Sequence, residues 1–354
     1  MRVVHKWLFV VALSGSLCAS VLADNSFRDP LTQPAAEVGR AENSNLSGVE
    51  VAGDRLIAVG ARGLIIVSDD KGATWSQVGS PVSTDLLAVH FSSDMQGWAV
   101  GHEGVVLHTK DGGTTWKKQL DGNQTETLLV EHFKTLDAAG DEQAAAYLDA
   151  VKLNYVDGPE QALMDVWFAD DQNGFVVGTF GTILATHDGG ETWESWMERV
   201  DNPELLHYNA ISAAGADVFV ASERGVVFKL DPAQRRFLQI ETGYSGTFFN
   251  IGGAGSTVIA VGLRGTAYKS NDAGRSWAPV QTGIEAALTD VQRLQSGRFL
   301  VVSLDGQALM SNNDLSSFTP LTTSRLGRFS SFAQQVPGAF VAVGPTGVQR
   351  VNLH

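Results

Sequence analysis

Short apolar runs broken by glycine and aspartate recur along the chain. Leu56-Ile57-Ala58-Val59 and Leu64-Ile65-Ile66-Val67 are two of them. Runs this short, rich in β-branched residues and closed by Gly or Asp, read as strands. Their continuous apolarity suits strands buried on both faces between stacked sheets. Around this first pair the pattern predicts four strands, at 48–51, 55–59, 64–67 and 75–78. Helical periodicity appears in one region. Leu128, Leu129, His132, Phe133 and Leu136 share a helical face, and Tyr147, Leu148 and Val151 share another after a break at Gly140. That stretch predicts an αα-hairpin.

The strand pattern repeats. Ser68 to Trp75, Thr109 to Trp116, Thr186 to Trp193 and Ser270 to Trp277 all fit S/T-x-D-x-G-x-S/T-W. Ser311 to Phe318, with Asn313 at the aspartate position, is a decayed copy, and Asp231 to Phe237 keeps little. A G-x-x-G turn, or S-x-x-G in two copies, precedes each one. Its second glycines fall at Gly63, Gly104, Gly181, Gly225, Gly265, Gly306 and Gly347, an interval of about 41 residues with about 36 extra after the second copy. Four strands in each of seven such units describe an all-β seven-bladed propeller with one helical insertion, at 121–160, between blades 2 and 3. A linear β-solenoid is the competing architecture, but its coils run shorter. The propeller is expected over 46–354. Its last repeat shows Phe340 to Val343 and Val348 to Val351 but no fourth strand. A strand from segment 24–45 could complete that blade and remove an open edge, although Pro30 and Pro34 leave its position undefined.

Composition narrows the function. The chain has 39 acidic and 25 basic residues and a formal charge of −14. Bulk charge therefore opposes binding to nucleic acid. A single Cys excludes a disulfide scaffold and a Cys-based zinc site. Arg2 and Lys6 precede an apolar run to Leu22, and Val21-Leu22-Ala23 offers small-residue cleavage, so 1–23 reads as a secretory signal peptide. Cys18 follows Leu17, where a lipid-attachment signal carries Gly, Ala or Ser. An unlipidated periplasmic product, more acidic by the loss of Arg2 and Lys6, is expected. Stretch 121–160 holds nine acidic and two basic residues, so much of the net charge lies on the insertion.

The repeated motif is the Asp-box, or BNR repeat, found in sialidases and other propellers. Its chemistry is structural. Asp caps a tight turn by accepting backbone N–H bonds, Gly takes a conformation closed to other residues, and Trp packs under the hairpin. Asp70, Asp111, Asp188 and Asp272 are thus turn caps, and Trp75, Trp116, Trp193 and Trp277 are core. No cofactor and no metal site are expected; His132 has no ligand spacing around it. The fuller combination in Gly101 to Trp116 resembles the photosystem II stability and assembly factor family, seven-bladed propellers, over residues 46–354. The insertion departs from the photosynthetic pattern. It favours an exported bacterial branch whose members are often associated with exporters of the resistance-nodulation-division class.

Propeller geometry places the G-x-x-G turns on one face and the Asp-boxes on the other. The residue before each second glycine should ring the first face: Arg62, Glu103, Phe180, Arg224, Arg264, Asp305 and Thr346. In the resembled family a basic patch is implicated in partner binding, and by repeat position Arg62, Arg224 and Arg264 match it best. Glu103, Phe180 and Asp305 complete the candidate surface. Asp85, Asp165, Tyr208, Asn209, Asn250, Asp290 and Arg328 begin inner strands and could line the channel mouth. The expected function is a non-enzymatic assembly or stability factor, or accessory subunit, for a membrane complex or exporter. Two alternatives are a sialidase-like glycoside hydrolase, with Tyr208 and Glu223 in one blade, and a small-ligand or lipid carrier using Phe248, Phe249 and Phe329.

Overall fold

The computed structural model describes residues 28–321 and 327–353; the signal-peptide reading of 1–23 and Cys18 falls outside them. Seven antiparallel sheets follow one another in chain order, each a meander. Blade 1 comprises Leu46–Ala52, Arg55–Gly60, Ile65–Ser68 and Ser76–Val78. The inner strands of the other six are Leu86–Phe91, Leu163–Phe168, Tyr208–Ala214, Phe248–Ala254, Leu288–Arg293 and Ser331–Ala333. Second strands are the apolar heart: every residue of Gly97–Gly101, Gly174–Gly178 and Ala339–Gly344 is buried. Continuous apolarity there follows from packing against blades on both sides.

Glycines at the tips are dictated by closeness. Gly63 has φ +72°, and a Cβ there would lie 2.0 Å from the carbonyl oxygen of Val82 in the connection to blade 2. A glycine in the left-handed region meets a neighbouring connection in the same way at Gly225, Gly265, Gly306 and Gly347. The tips are therefore the joints between successive blades.

Across blades, aromatic side chains extend the core. Trp98 is fully buried between Phe168 of blade 3, at 3.5 Å between ring centroids, and His108, at 4.7 Å. Its Nε1 donates to the carbonyl of Gly189, inside the third Asp-box.

The seventh sheet has three strands, Ser331–Ala333, Ala339–Gly344 and Gly347–Asn352. The strand expected from 24–45 is not supplied by residues 28–45, which hold a 3-10 turn at Ala41–Asn43 and no strand. They follow blade 1 instead. Ala35 N–H donates to the Ser80 carbonyl at 3.1 Å, and the Gln77 amide donates to the Ala36 carbonyl and accepts from Val38 N–H. Leu31 is buried between blades 1 and 2. Proline removes donors a ladder would need, and the Gln77 side chain takes its place. The chain then passes the tip of blade 7, where a Cβ on Gly347 would meet the Glu42 carbonyl oxygen at 2.2 Å. Residues 41–45 thus act as the blade 7-to-1 connection.

The insertion forms α1, Gly122–Ala138, and α2, Ala144–Asn154. Asp121 and Gln124 make a reciprocal capping box at the start of α1. Leu129, Phe133, Leu148 and Val151 join the core of blades 2 to 4, and Phe133 stacks on Tyr147 at 5.0 Å. The hairpin is part of the packed body rather than a free loop. His132 Nε2 stands 3.2 Å from Glu198, on the outer side of blade 3.

Candidate protein-binding face and channel

The Asp-boxes behave as turn caps. Asp70 Oδ1 accepts from the backbone N–H of Ala73 and Thr74 and from the Ser68 hydroxyl, and Oδ2 accepts from the Thr74 hydroxyl at 2.6 Å. Asp111, Asp188 and Asp272 repeat the scheme with Thr115, Thr192 and Ser276. Bonds from the Thr74 and Ser276 hydroxyls, then the backbone, hold Asp70 and Asp272 down to about 2. At Asp111 and Asp188 burial opposes the same bonds, and the bonds prevail. Trp75, Trp116 and Trp277 donate from Nε1 to the carbonyls of Gly72, Gly113 and Gly274; Trp116 is buried in the core, and Trp75 and Trp277 are half-buried against it. Trp193 packs edge-to-face with Phe168, but its buried Nε1 has no acceptor among the described residues. In the decayed copy the capping oxygen belongs to Asn312, which accepts from Ser316 N–H at 2.9 Å, and not to Asn313.

On the opposite face stand the tips. Arg62, Glu103, Phe180, Arg224 and Arg264 all have φ between 54° and 57°. That is the left-handed region, which costs a side-chain-bearing residue about 1–2 kcal/mol and which Gly or Asn would occupy more easily. Each tip is braced. Arg62 N–H donates to Asp85 Oδ1 at 2.7 Å. Asp305 accepts from Ser303 Oγ at 2.7 Å and Gln307 Nε2 at 2.8 Å. Arg62 and Arg264 are exposed, and neither forms an ion pair with a described residue. Arg224 pairs with Glu204, so its charge is locally answered. Phe180 is 39% exposed and leans on His207 at 4.7 Å. Glu103 is half-buried; burial, then the nearby charges of Asp29, Asp85 and Glu160, raise its pKa. The face is thus divided: basic tips on blades 1, 4 and 5, acidic ones on blades 2 and 6.

A polar channel of about 400 Å³ runs between the inner strands. Its lining follows from a bulge repeated near the start of those strands: the register slips at Ser47, Leu87, Met164, Asn209, Phe249 and Thr289. All six line the channel, as expected where an extra residue re-aims a strand. Asp165, Asn209, Asn250 and Asp290 line it as well, as the sequence suggested. They also tie blades together. Asp165 Oδ2 accepts from Ile211 N–H at 2.8 Å, Asn209 donates to the Phe248 carbonyl, and Asp290 Oδ2 accepts from Phe332 N–H at 3.0 Å. Asp85 braces the Arg62 tip, and Arg328 lies exposed at the blade 7 connection.

Two titratable channel residues escaped the sequence reading, Glu50 and His90. Burial foremost, with smaller contributions from Asp290 and Asp165, pushes Glu50 up to about 7 against the Val51 hydrogen bond. Burial likewise takes Asp165 to about 7 and Asp290 to about 6. It lowers His90 to about 4, opposed by the contact to the Phe168 carbonyl. Glu50 was legible in principle, as a charge inside the run Val49-Glu50-Val51.

The residues of the two alternatives have other engagements. Tyr208 is buried, its hydroxyl accepts from Asn202 Nδ2 at 2.9 Å, and burial raises its pKa. Glu223 instead accepts from His207 N–H at 3.0 Å. Phe248 and Phe329 are core, and Phe249 alone of the three faces the channel. Among the described residues no group of His, Cys, Asp or Glu could hold a metal ion, and no helix is long and apolar enough to cross a membrane.

Comparison with known proteins agrees with the fold. The solved structure described as YCF48 bound to D1 peptide superposes with a TM-score of 0.64 at 15% identity, covering 91% of this chain and 99% of that one. YCF48 from Cyanidioschyzon merolae gives 0.62 at 15% identity, covering 90% and 98%. The WD40 propeller domain of Doa1 gives 0.59 at 10% identity, covering 91% and 95%. At these identities the likeness is one of fold. In sequence, the photosystem II assembly lipoprotein Ycf48 of Prochlorococcus marinus (strain NATL2A) is 47% identical over 49 residues, so the match spans 14% of each protein. The family described as photosynthesis system II assembly factor YCF48 matches residues 68–147 and 142–320, most of the propeller. This chain belongs to that family.

Proposed function

We propose that the protein is an exported, non-enzymatic assembly or stability factor that docks on a membrane complex through its G-x-x-G face. The observation that carries this reading is the set of left-handed tips. Five side chains stand at left-handed positions where glycine would be less strained, and strain kept at equivalent surface positions is a sign of use. Arg62, Arg224 and Arg264 supply the attractive charge, Phe180 an apolar anchor, and Glu103 and Asp305 a contrast that orients the partner. A peptide is what the solved relative described as YCF48 bound to D1 peptide carries.

The partner class proposed is a membrane-protein complex. The helical insertion, absent from the photosynthetic pattern, favours an exporter of the resistance-nodulation-division class over a photosystem. The periplasm is the proposed compartment, on the strength of the leader at 1–23. The engaged state of the Asp-box carboxylates and the separate engagements of Tyr208 and Glu223 support a binding rather than a hydrolytic role. Affinity capture from cross-linked cells, read by mass spectrometry, tests this reading. Enrichment of the subunits of one membrane complex is expected. Recovery without any membrane-protein neighbour, or turnover of a chromogenic sugar substrate by the purified protein, would contradict it.

A further inference from the structure

Helix α2 reads Ala-Ala-Ala-Tyr-Leu-Asp-Ala-Val-Lys-Leu-Asn, apolar around nearly its whole circumference. Such a helix is normally covered on more than one side. Here one side is covered: Ala144, Leu148 and Val151 pack into the core, followed by Tyr155. The other side carries Ala145, Ala146, Asp149, Lys152 and Leu153, and the surface continues through Val156, all exposed. Leu153 is 72% and Val156 71% exposed, the most exposed of the large apolar side chains among the described residues. One exposed leucine means little; two on adjoining positions beside alanines form a contact face. Between them Tyr155 turns inward, with a buried hydroxyl that has no hydrogen-bond partner among the described residues.

Charge identifies the occupant. Asp149, Asp157 and Glu160 flank the apolar pair, Asp141 and Glu142 precede the helix, and Lys152 is the single basic residue of stretch 141–160. A second copy of the chain would bring the same acidic surface, and an anionic lipid surface would bring the same sign. A helix with an apolar stripe and a lysine- or arginine-rich border would satisfy both features.

We propose that the exposed side of α2 is a docking surface for a basic amphipathic segment of a protein partner. This extends the reading of the chain as a protein-binding factor, on a surface separate from the tip arginines. The chain leaves α2 toward the tip of blade 3, where Thr179 Oγ1 donates to Gln161 Oε1 at 3.1 Å. Gln161 also donates to the Asn154 carbonyl, so the end of α2 lies beside the tip of blade 3.

The test uses the mature protein and a short fluorescent peptide with leucines on one helical face and lysines on the other. Anisotropy should show affinity falling about tenfold or more for Leu153→Ser/Val156→Ser and for Asp149→Asn/Asp157→Asn/Glu160→Gln. A control that neutralises exposed acids elsewhere, Glu37→Gln/Asp54→Asn/Glu285→Gln, should bind as the wild type does, and so should Arg62→Glu/Arg224→Glu/Arg264→Glu. Unchanged affinity in the Leu153/Val156 variant, or an equal loss in the acid control, would overturn the proposal. Self-association or phosphatidylglycerol-vesicle binding that the Leu153/Val156 variant abolishes would overturn the choice of occupant. Because the arginine variant is scored separately, failure here leaves the tip reading standing, and the reverse holds too.

Discussion

The backbone N–H of Arg62 donates to the carboxylate of Asp85 at 2.7 Å, so the first residues of blade 2 hold the turn that presents an arginine from blade 1. The bond joins a fold element to the binding face. Removing the acceptor in Asp85→Ala should cost about 1.5–3 kcal/mol, the range for a hydrogen bond to a charged group. Urea unfolding would measure it. Asp85→Asn, which keeps an acceptor, should recover most of the loss.

The Asp-boxes should matter for stability far more than for binding. Asp111 accepts from the Thr115 N–H, the Thr115 hydroxyl and the Thr109 hydroxyl. Asp111→Ala leaves these donors without their acceptor and should destabilise by roughly 2–3 kcal/mol, with partner capture unchanged at a temperature where the variant remains folded. Denaturant midpoint and capture yield together check this.

Phe133 measures how firmly the insertion belongs to the body. It is fully buried, stacked on Tyr147, and shares its core with blades 2 to 4. Phe133→Ala should cost about 3–5 kcal/mol and lower the single unfolding transition. A variant that unfolds like the wild type would mean that the hairpin packs independently of the propeller.

The pH dependence has two opposite signs. Glu50 is raised from 4.5 to about 7, and Asp165 and Asp290 from 3.8 to about 7 and about 6. In the folded protein they stay protonated where the unfolded chain has ionised. Their contribution is complete below about 4 and is lost as pH rises through about 6 to 7. Asp70 and Asp272, held at about 2, contribute above 3.8 and lose that contribution as pH falls toward 2. Urea titrations from acidic to neutral pH should show Glu50→Gln flattening the decline between about 4 and 7. An identical slope in the variant would contradict the channel electrostatics.

The repeat was legible because each blade spends the same residues on the same geometric demands. The second glycine of every tip faces a neighbouring connection, and Asp, Ser or Thr, and Gly build the four intact boxes, so the motif spacing carried blade count, tip face and insertion. The closing strand was not legible. Proline marked 28–45 as irregular, but that the Gln77 side chain would hold it against blade 1 depends on tertiary packing. The channel was half legible. Asp165 and Asp290 stand at strand starts, whereas Glu50 and His90 reach the channel through an inner-strand register that short apolar patterns do not encode. Nor does the pattern at Trp98 foretell its stacking on a ring of the next blade.

The central claim is that the tip arginines capture a membrane-complex partner. Its most direct measurement is capture yield from cross-linked cells with wild-type bait and with Arg62→Glu/Arg224→Glu/Arg264→Glu, the three exposed positions reversed together and thermal unfolding recorded alongside. The account predicts an unchanged unfolding midpoint and loss of the partner. An unchanged midpoint with the partner still captured at wild-type yield would contradict it.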